Sequence, residues 1–168
     1  MKNIIKELLP YVLILGGVIL IRTFIVTPVI VSGDSMKPNL HNGDLLLERK
    51  IGYNSTNIKR FDIVVIKEGK EEIIKRIIGL PGEHIEYKDN ILYVDGKKIS
   101  DSRSSSTKDF KLESIGYDTI PKDMYLVLGD NRTNSSDSRT FGLVKKSDII
   151  GKVNGKVFMK NGDLRPLF

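Results

Sequence analysis

The chain has 168 residues, a formal net charge of +6 (27 Lys and Arg against 21 Asp and Glu), 7% aromatic residues, and neither cysteine nor tryptophan. Zero cysteine removes disulfides, thiol catalysis and cysteine-based zinc sites together, and it leaves the redox compartment undecided. Scattered lysines and scarce aromatics offer little of a base-stacking platform, so no nucleic-acid partner is expected and the basic surface reads as attraction to acidic membrane lipid or as solubility.

Residues 1–7 form a short N-terminus carrying Lys2 and Lys6, and an apolar run follows over residues 8–26. Nineteen residues at about 1.5 Å each give roughly 28 Å, close to a hydrocarbon core of about 30 Å, which predicts a transmembrane anchor helix. Pro10 sits in the first turns, where proline is tolerated, and Arg22 lies near the far end, where a long stem can snorkel to the headgroups. A cleaved signal peptide is the competing reading. No Ala-x-Ala-like site follows the run, and residues 23–31 are rich in β-branched side chains, so the segment is read as uncleaved. The lysines ahead of it predict a cytoplasmic N-terminus and an extracytoplasmic remainder, although Lys37, Arg49 and Lys50 weaken that count. Residues 27–168 are enough for one domain of ordinary size.

Beyond the anchor the pattern is that of strands. Val29-Ile30-Val31 and Asp44-Leu45-Leu46-Leu47-Glu48 flank the turn signal Asn42-Gly43, and residues 52–59 read as a polar loop. Residues 61–67 and 71–80 predict a hairpin around Glu68-Gly69-Lys70. Ile85-Glu86-Tyr87 and Ile91-Leu92-Tyr93-Val94 predict another, and Asp95-Gly96 turns the chain again. The Ser-rich stretch 101–108 reads as a mobile loop that buries almost nothing. Residues 124–128 form a further strand, and residues 151–160 read as a closing hairpin around Asn154-Gly155. With no long helix after the anchor, the expected fold is mainly antiparallel β-sheet.

Three polar stretches carry the chemistry. Ser35 sits in Ser32-Gly33-Asp34-Ser35-Met36-Lys37-Pro38, between a glycine turn and a proline, just past the anchor. It is a candidate nucleophile, but neither histidine is a convincing base: His41 lies in a polar turn and His84 follows the breaker Pro81-Gly82. Lys75 instead lies inside the apolar, β-branched run Ile73-Ile74-Lys75-Arg76-Ile77-Ile78, where desolvation favours the neutral amine that can act as a base. From Asp130 to Arg139, two carboxylates and two arginines alternate and can pair rigidly. As a calcium loop that stretch fails, since its twelfth position is Phe141. Taken singly, Ser35 reads as a turn serine, Lys75 as an edge lysine that blunts strand pairing, Met36 as core, and Arg76 with Asp130 as a surface ion pair. The joint occurrence argues otherwise.

Ser35-Met36-x-Pro38-x-Leu40, Gly43-Asp44, Lys75-Arg76-x-Ile78-Gly79-Leu80-Pro81-Gly82 and Gly129-Asp130-Asn131-Arg132-x-Asn134-Ser135-x-Asp137-Ser138-Arg139-x-x-Gly142 resemble, in order, the boxes of bacterial type I signal peptidases, in their Gram-positive branch. The resemblance implies a membrane-bound serine endopeptidase of mainly β architecture that removes signal peptides from secreted preproteins after a small residue, without metal or other cofactor. It makes Ser35 the nucleophile, Lys75 the general base, and Ser135 the hydroxyl that orients the amine. Asp130 with Arg76, and Asp137 with Arg139, become supports. Asn39 stands where threonine is usual. Gly33 stands where some relatives carry a serine that helps bind the oxyanion, so the Ser35 N–H supplies one donor and a Gly33 N–H or water the other.

By the same analogy the substrate adds as an extended strand between the Ser35 and Lys75 segments, over a pocket lined by Val31, Met36, Leu40 and Ile74. Bringing a lysine from about 10.4 to about 8 takes roughly 3 kcal/mol, which burial among Ile73, Ile74 and Ile77 supplies, with Arg76 pushing the same way unless Asp130 neutralises it. Two other classes compete. A self-cleaving Ser-Lys repressor requires a helix-turn-helix and a cleavable linker where the membrane run lies. A non-catalytic membrane-anchored β adaptor has no need of Lys75 within an apolar strand.

Overall fold

The computed structural model describes residues 2–24, 26–49, 58–102 and 106–158. The loop expected over residues 52–59 lies outside them except for its last two positions.

Helix α1 (Lys2–Phe24) ends where the β-branched residues begin, and Val26–Ile30 forms strand β1. The helix therefore stops short of the expected anchor boundary at Val26. Its uncharged stretch, between Glu7 and Arg22, is 14 residues, about 21 Å of rise against a hydrocarbon core of about 30 Å. Among the described residues no helix is long and apolar enough to cross a membrane. The side chains of Leu8, Leu9, Tyr11, Val12, Leu13, Ile14 and Leu15 are all more than half exposed.

The strands that follow are β2 (Leu45–Arg49), β3 (Ile63–Glu68), β4 (Glu71–Gly79), β5 (Ile85–Lys88), β6 (Ile91–Val94), β7 (Lys97–Ile99), β8 (Phe110–Lys111), β9 (Met124–Leu128), β10 (Val144–Lys145) and β11 (Ile149–Phe158). They form two antiparallel sheets, one of seven strands in the order β1-β2-β11-β3-β4-β9-β10 and one of four in the order β7-β6-β5-β8. The expected hairpins β3–β4 and β5–β6 are present, with Lys75 opposite Val64 and Tyr87 opposite Leu92. Asp89 and Asn90 both take positive φ, the backbone that a two-residue turn needs to match strand twist. The expected closing hairpin is instead one long strand. β11 pairs with β3 through its first half and with β2 through its second, and the register slips between Val153 and Gly155. Asn154-Gly155 thus marks a bulge, another use of a glycine within a strand.

Strand β4 is buried on both faces from Ile74 onward. On one side Ile74 joins Val31, Met36, Leu40, Leu46, Ile63 and Val65. On the other, Ile77 packs with Val64, Ile66, Tyr125 and Val127, with Ile73 against them. At its end Ile78 enters the cluster that covers the four-stranded sheet, with Ile85, Tyr87, Leu92 and Leu112. A polar residue in this strand has no water to turn to, and Lys75 and Arg76 occupy consecutive positions in it. Phe61, just before β3, has φ 71. That left-handed backbone is unusual for an aromatic residue, and here the Phe61 carbonyl accepts Arg76 Nη1 at 2.8 Å.

The Ser-rich stretch departs from expectation. Thr107 is 2% exposed, and the Asp101 carboxylate receives Arg132 and the Tyr87 hydroxyl. Buried ionic partners, invisible in a polar composition, hold both ends of that loop.

Candidate functional site

Three segments meet at the site. The first is the loop between β1 and β2, which is closed on itself by Gly43 N–H to Val31 O and Val31 N–H to Asp44 O, both at 2.9 Å. Gly33 has φ +88, which lets the chain turn sharply ahead of Ser35. The second is β4, which presents Lys75. The third is the loop 129–139, which ends in the one-turn helix α2 (Ser138–Phe141), capped by Asp137 through the Arg139 N–H.

Lys75 Nζ lies 2.9 Å from Ser35 Oγ, although 40 positions separate the two residues. Lys75 is 4% exposed. Burial pushes its amine below the ordinary lysine value; Asp137 opposes that shift and Arg139 adds to it. The charges that tune this lysine are Asp137 and Arg139, while the Arg76 guanidinium is shared between Asp130 and the Phe61 carbonyl. Burial alone would raise Asp137, but hydrogen bonds from Arg139 and the Gly129 N–H hold it below the usual carboxylate range.

Both expected arginine–carboxylate supports are present and bidentate. Arg76 Nε and Nη2 reach Asp130 Oδ1 and Oδ2 at 2.7 and 2.6 Å, and Arg139 Nε and Nη2 each reach Asp137 at 2.8 Å. Ser135 lines the same cleft as Ser35 and Lys75. Its Oγ is buried, and its hydroxyl is one of the groups that hold Asp137 below the usual carboxylate range. Gly129 is needed here by close approach, because a Cβ at that position would run into Ser135 Oγ and the Ser35 carbonyl.

The expected oxyanion donors do not behave alike. The Ser35 N–H makes no hydrogen bond among the described residues, whereas the Gly33 N–H is taken by Asn42 Oδ1 at 3.0 Å. Gly33 as arranged is therefore not a free donor, because a side chain nine residues away satisfies it. Of the expected pocket residues, Val31, Met36 and Ile74 line the cleft beside Ser35 and Lys75, together with Ile30, Glu71 and Ile73. Leu40 is fully buried and lies in the core that supports them. His41 and His84 line neither lobe of the cleft.

Sequence reasoning missed four contributors. Asn39 Nδ2 donates to Asp130 Oδ2 at 2.8 Å, and the Asn131 N–H donates to the Ser35 carbonyl at 3.0 Å. Asp101 and Thr107 hold Arg132, whose Nη1 lies 2.6 Å from Thr107 Oγ1. Only Asn39 carried a signal, since it interrupts the usual box; the others are polar residues among polar residues. A larger cavity of about 710 Å³ opens elsewhere, between Ile58, Met124, Ile149 and three lysines. It contains no lysine bonded to a hydroxyl, so size alone does not mark the site. Among the described residues no group of His, Cys, Asp or Glu could hold a metal ion.

The whole arrangement has relatives. A signal peptidase I of Bacillus caldolyticus is 43% identical over 146 residues, spanning 80% of this chain and 80% of its own length. Signal peptidase I P of Bacillus subtilis subsp. natto is 42% identical over 160 residues, 89% and 86% of the two chains. A crystal structure of a signal peptidase I from Enterococcus faecalis superposes with a TM-score of 0.52 at 39% identity, covering 57% of this chain and 96% of that one. The family model for signal peptidase, peptidase S26, matches residues 1–158. A match that takes in the helix, both sheets and all three segments of the cleft leaves one conclusion: this chain belongs to the signal peptidase family, peptidase S26.

Proposed function

We propose that this type I signal peptidase cuts preproteins with Ser35 as nucleophile and Lys75 as general base. The observation that carries the reading is the 2.9 Å contact between a loop serine and a lysine buried in an apolar strand. Neutral Lys75 takes the proton from Ser35 Oγ as that oxygen bonds to the carbonyl carbon of the scissile peptide. The lysine ammonium then hands its proton to the departing amine as the C–N bond breaks, leaving an ester on Ser35. Water, activated by the same amine, hydrolyses the ester and frees the serine. The unbonded Ser35 N–H is available to the oxyanion; a second donor requires Gly33 to exchange Asn42 for substrate, or a water. Ser135, whose buried hydroxyl lines the same cleft as Lys75, orients the amine.

An extended substrate has an edge to join. β3 pairs with β4 over residues 71–76, but β9 covers the other side only from Arg76 onward, so residues 71–75 keep an unpaired edge facing the segment 30–36. Main-chain bonding to that edge supports the expected strand addition, with Val31, Met36 and Ile74 forming the shallow apolar floor that favours a small residue.

The exposed apolar side chains of α1 support a role for it as a membrane anchor, with residues 1–7 cytoplasmic and residues 27–168 as the extracytoplasmic peptidase domain. Its short uncharged stretch would need snorkelling ends or local bilayer thinning to span. The deciding experiment is preprotein cleavage in detergent by purified Ser35→Ala and Lys75→Ala variants. Both lose processing while retaining the wild-type circular dichroism spectrum. Cleavage by either above a trace defeats the assignment, and absence of cleavage by the wild-type chain on any preprotein tried favours an adaptor.

A further inference from the structure

Asn39 lies four residues beyond Ser35, and its Nδ2 donates to Asp130 Oδ2 at 2.8 Å. That acceptor belongs to a fully buried carboxylate, and the same oxygen receives Arg76 Nη2 at 2.6 Å. Arg76 follows Lys75 directly in β4. One side chain of the Ser35 loop thus grips the ion pair built into the Lys75 strand. We propose that Asn39 is a positioning residue, which holds Ser35 Oγ within proton-transfer reach of Lys75 by tying the nucleophile loop to the Arg76–Asp130 pair. The inference rests on the Ser35–Lys75 reading.

Asn131 also joins the same loop to residues 129–139. The Asn131 N–H reaches the Ser35 carbonyl at 3.0 Å, and Asn131 Nδ2 reaches the Asp34 carbonyl at 3.2 Å. Both accept on neutral carbonyls, and the second is exposed, where water competes for each partner. The Asn39 bond is shorter and ends on a carboxylate, which makes it roughly twice as strong as a neutral one. It also points the right way. The Asn131 bonds tie Ser35 to the loop 129–139 alone, whereas Asp130 passes the constraint through Arg76 into the strand that carries Lys75. A threonine here would also carry a donor, so the role does not depend on the amide itself.

A displacement of about 1 Å between reacting groups can cost on the order of 10²-fold in rate. With the Asn131 bonds still in place, Asn39→Ala is expected to lower kcat about tenfold per folded molecule while KM stays within about twofold. Phosphonylation of Ser35 by a small fluorophosphonate, in which the serine oxygen displaces fluoride at phosphorus and bypasses the peptide pockets, should slow by the same factor. Asn39→Thr keeps a donor and should recover at least half of wild-type kcat. Asn39→Asp keeps the shape but sets a carboxylate against Asp130, and should fall at least as far as alanine.

The measurements use the full-length chain in detergent, with rates normalised to the folded fraction. The proposal is overturned if Asn39→Ala keeps kcat within twofold of wild type, if the loss appears in KM instead, or if the threonine variant falls as far as alanine. Should the alanine variant fail to fold, the threonine and aspartate variants decide it, as donor kept against donor removed. Ser35→Ala runs alongside. If it still cleaves, the nucleophile assignment has failed; if it is inert while Asn39→Ala is fully active, only the positioning role has.

Discussion

Two buried arginine–aspartate pairs hold the loop 129–139, and they differ in what lies at their far ends. Arg76–Asp130 runs from that loop into β4, next to Lys75, and receives Asn39 from the Ser35 loop. Arg132–Asp101 runs the opposite way, to the four-stranded sheet, where Tyr87 OH also donates to Asp101 at 2.6 Å and the guanidinium lies 5.0 Å from the Tyr87 ring. Side-chain exposure is 7% and 0% in the first pair and 0% and 3% in the second, so neither can be broken cheaply. Burial therefore does not distinguish them. The first pair bonds to both the nucleophile loop and the strand of the base, while the second fixes the far side of the same loop to a sheet none of whose described residues lines the cleft. Equal energetic stakes can thus serve different ends, one geometric and one purely cohesive.

The largest expected effect separates Lys75 from both pairs. Unlike either arginine it has no bonded carboxylate, and its burial disfavours the charged form. Lys75→Met should reduce cleavage by about 10³-fold or more while raising the melting temperature at pH 7. The sign follows from linkage. With the folded value below the ordinary 10.5, the unfolded chain binds the extra proton between the two values, so wild-type stability rises with pH across that interval. The gap between variant and wild type should narrow as pH approaches 10.5. The acid limb of the wild-type rate profile should reflect the same lowered value and survive replacement of His41 and His84 by alanine. A variant that melts lower at pH 7 and does not converge on wild type would mean that Lys75 is held charged.

Next come the two arginines, compared directly. Arg76→Ala and Arg132→Ala each strand a buried carboxylate and should each cost about 3–5 kcal/mol in chemical denaturation. Their activities should part: kcat per folded molecule should drop at least about tenfold for Arg76→Ala and stay within about threefold for Arg132→Ala. Equal activity losses would erase the distinction drawn above. The smallest effect sharpens the cohesive side. Tyr87→Phe removes one hydrogen bond to the Asp101 carboxylate and should cost about 1.5–3 kcal/mol, with kcat unchanged. Burial pushes the Tyr87 hydroxyl well above its ordinary 10.0, so above that pH the unfolded chain loses this proton first and the wild-type advantage over Tyr87→Phe should shrink.

Much of this architecture was legible in linear form because its signals are local. Alternating β-branched residues with Asp89-Asn90 or Asp95-Gly96 between them specify hairpins through backbone sterics and strand twist, and those hairpins stand where expected. The arginines and carboxylates that pair around Lys75 were readable because their order is family-specific. Local signals failed where the same residues have two uses. Asn154-Gly155 marks a bulge rather than a turn, since a glycine permits both and only the strands on either side choose. The β-branched residues after Phe24 start a strand and shorten the helix, since β2 is there to pair with them.

By itself the sequence determined the residue types of the site: a serine in a turn, a lysine amid isoleucines, and arginines interleaved with carboxylates. It also determined that Lys75 would be disfavoured as a cation, because that depends on its immediate apolar neighbours. Tertiary structure alone decided which charges act on Lys75, that Asn42 takes the Gly33 N–H, that Leu40 supports the pocket from beneath, and that Asp101 and Thr107 leave the solvent to hold Arg132. The physical reason is the range of each effect. Desolvation and turn sterics are set within a few residues along the chain, whereas hydrogen bonds and ion pairs form between groups that only the packed sheets bring within 3 Å, across separations such as the 91 positions from Asn39 to Asp130.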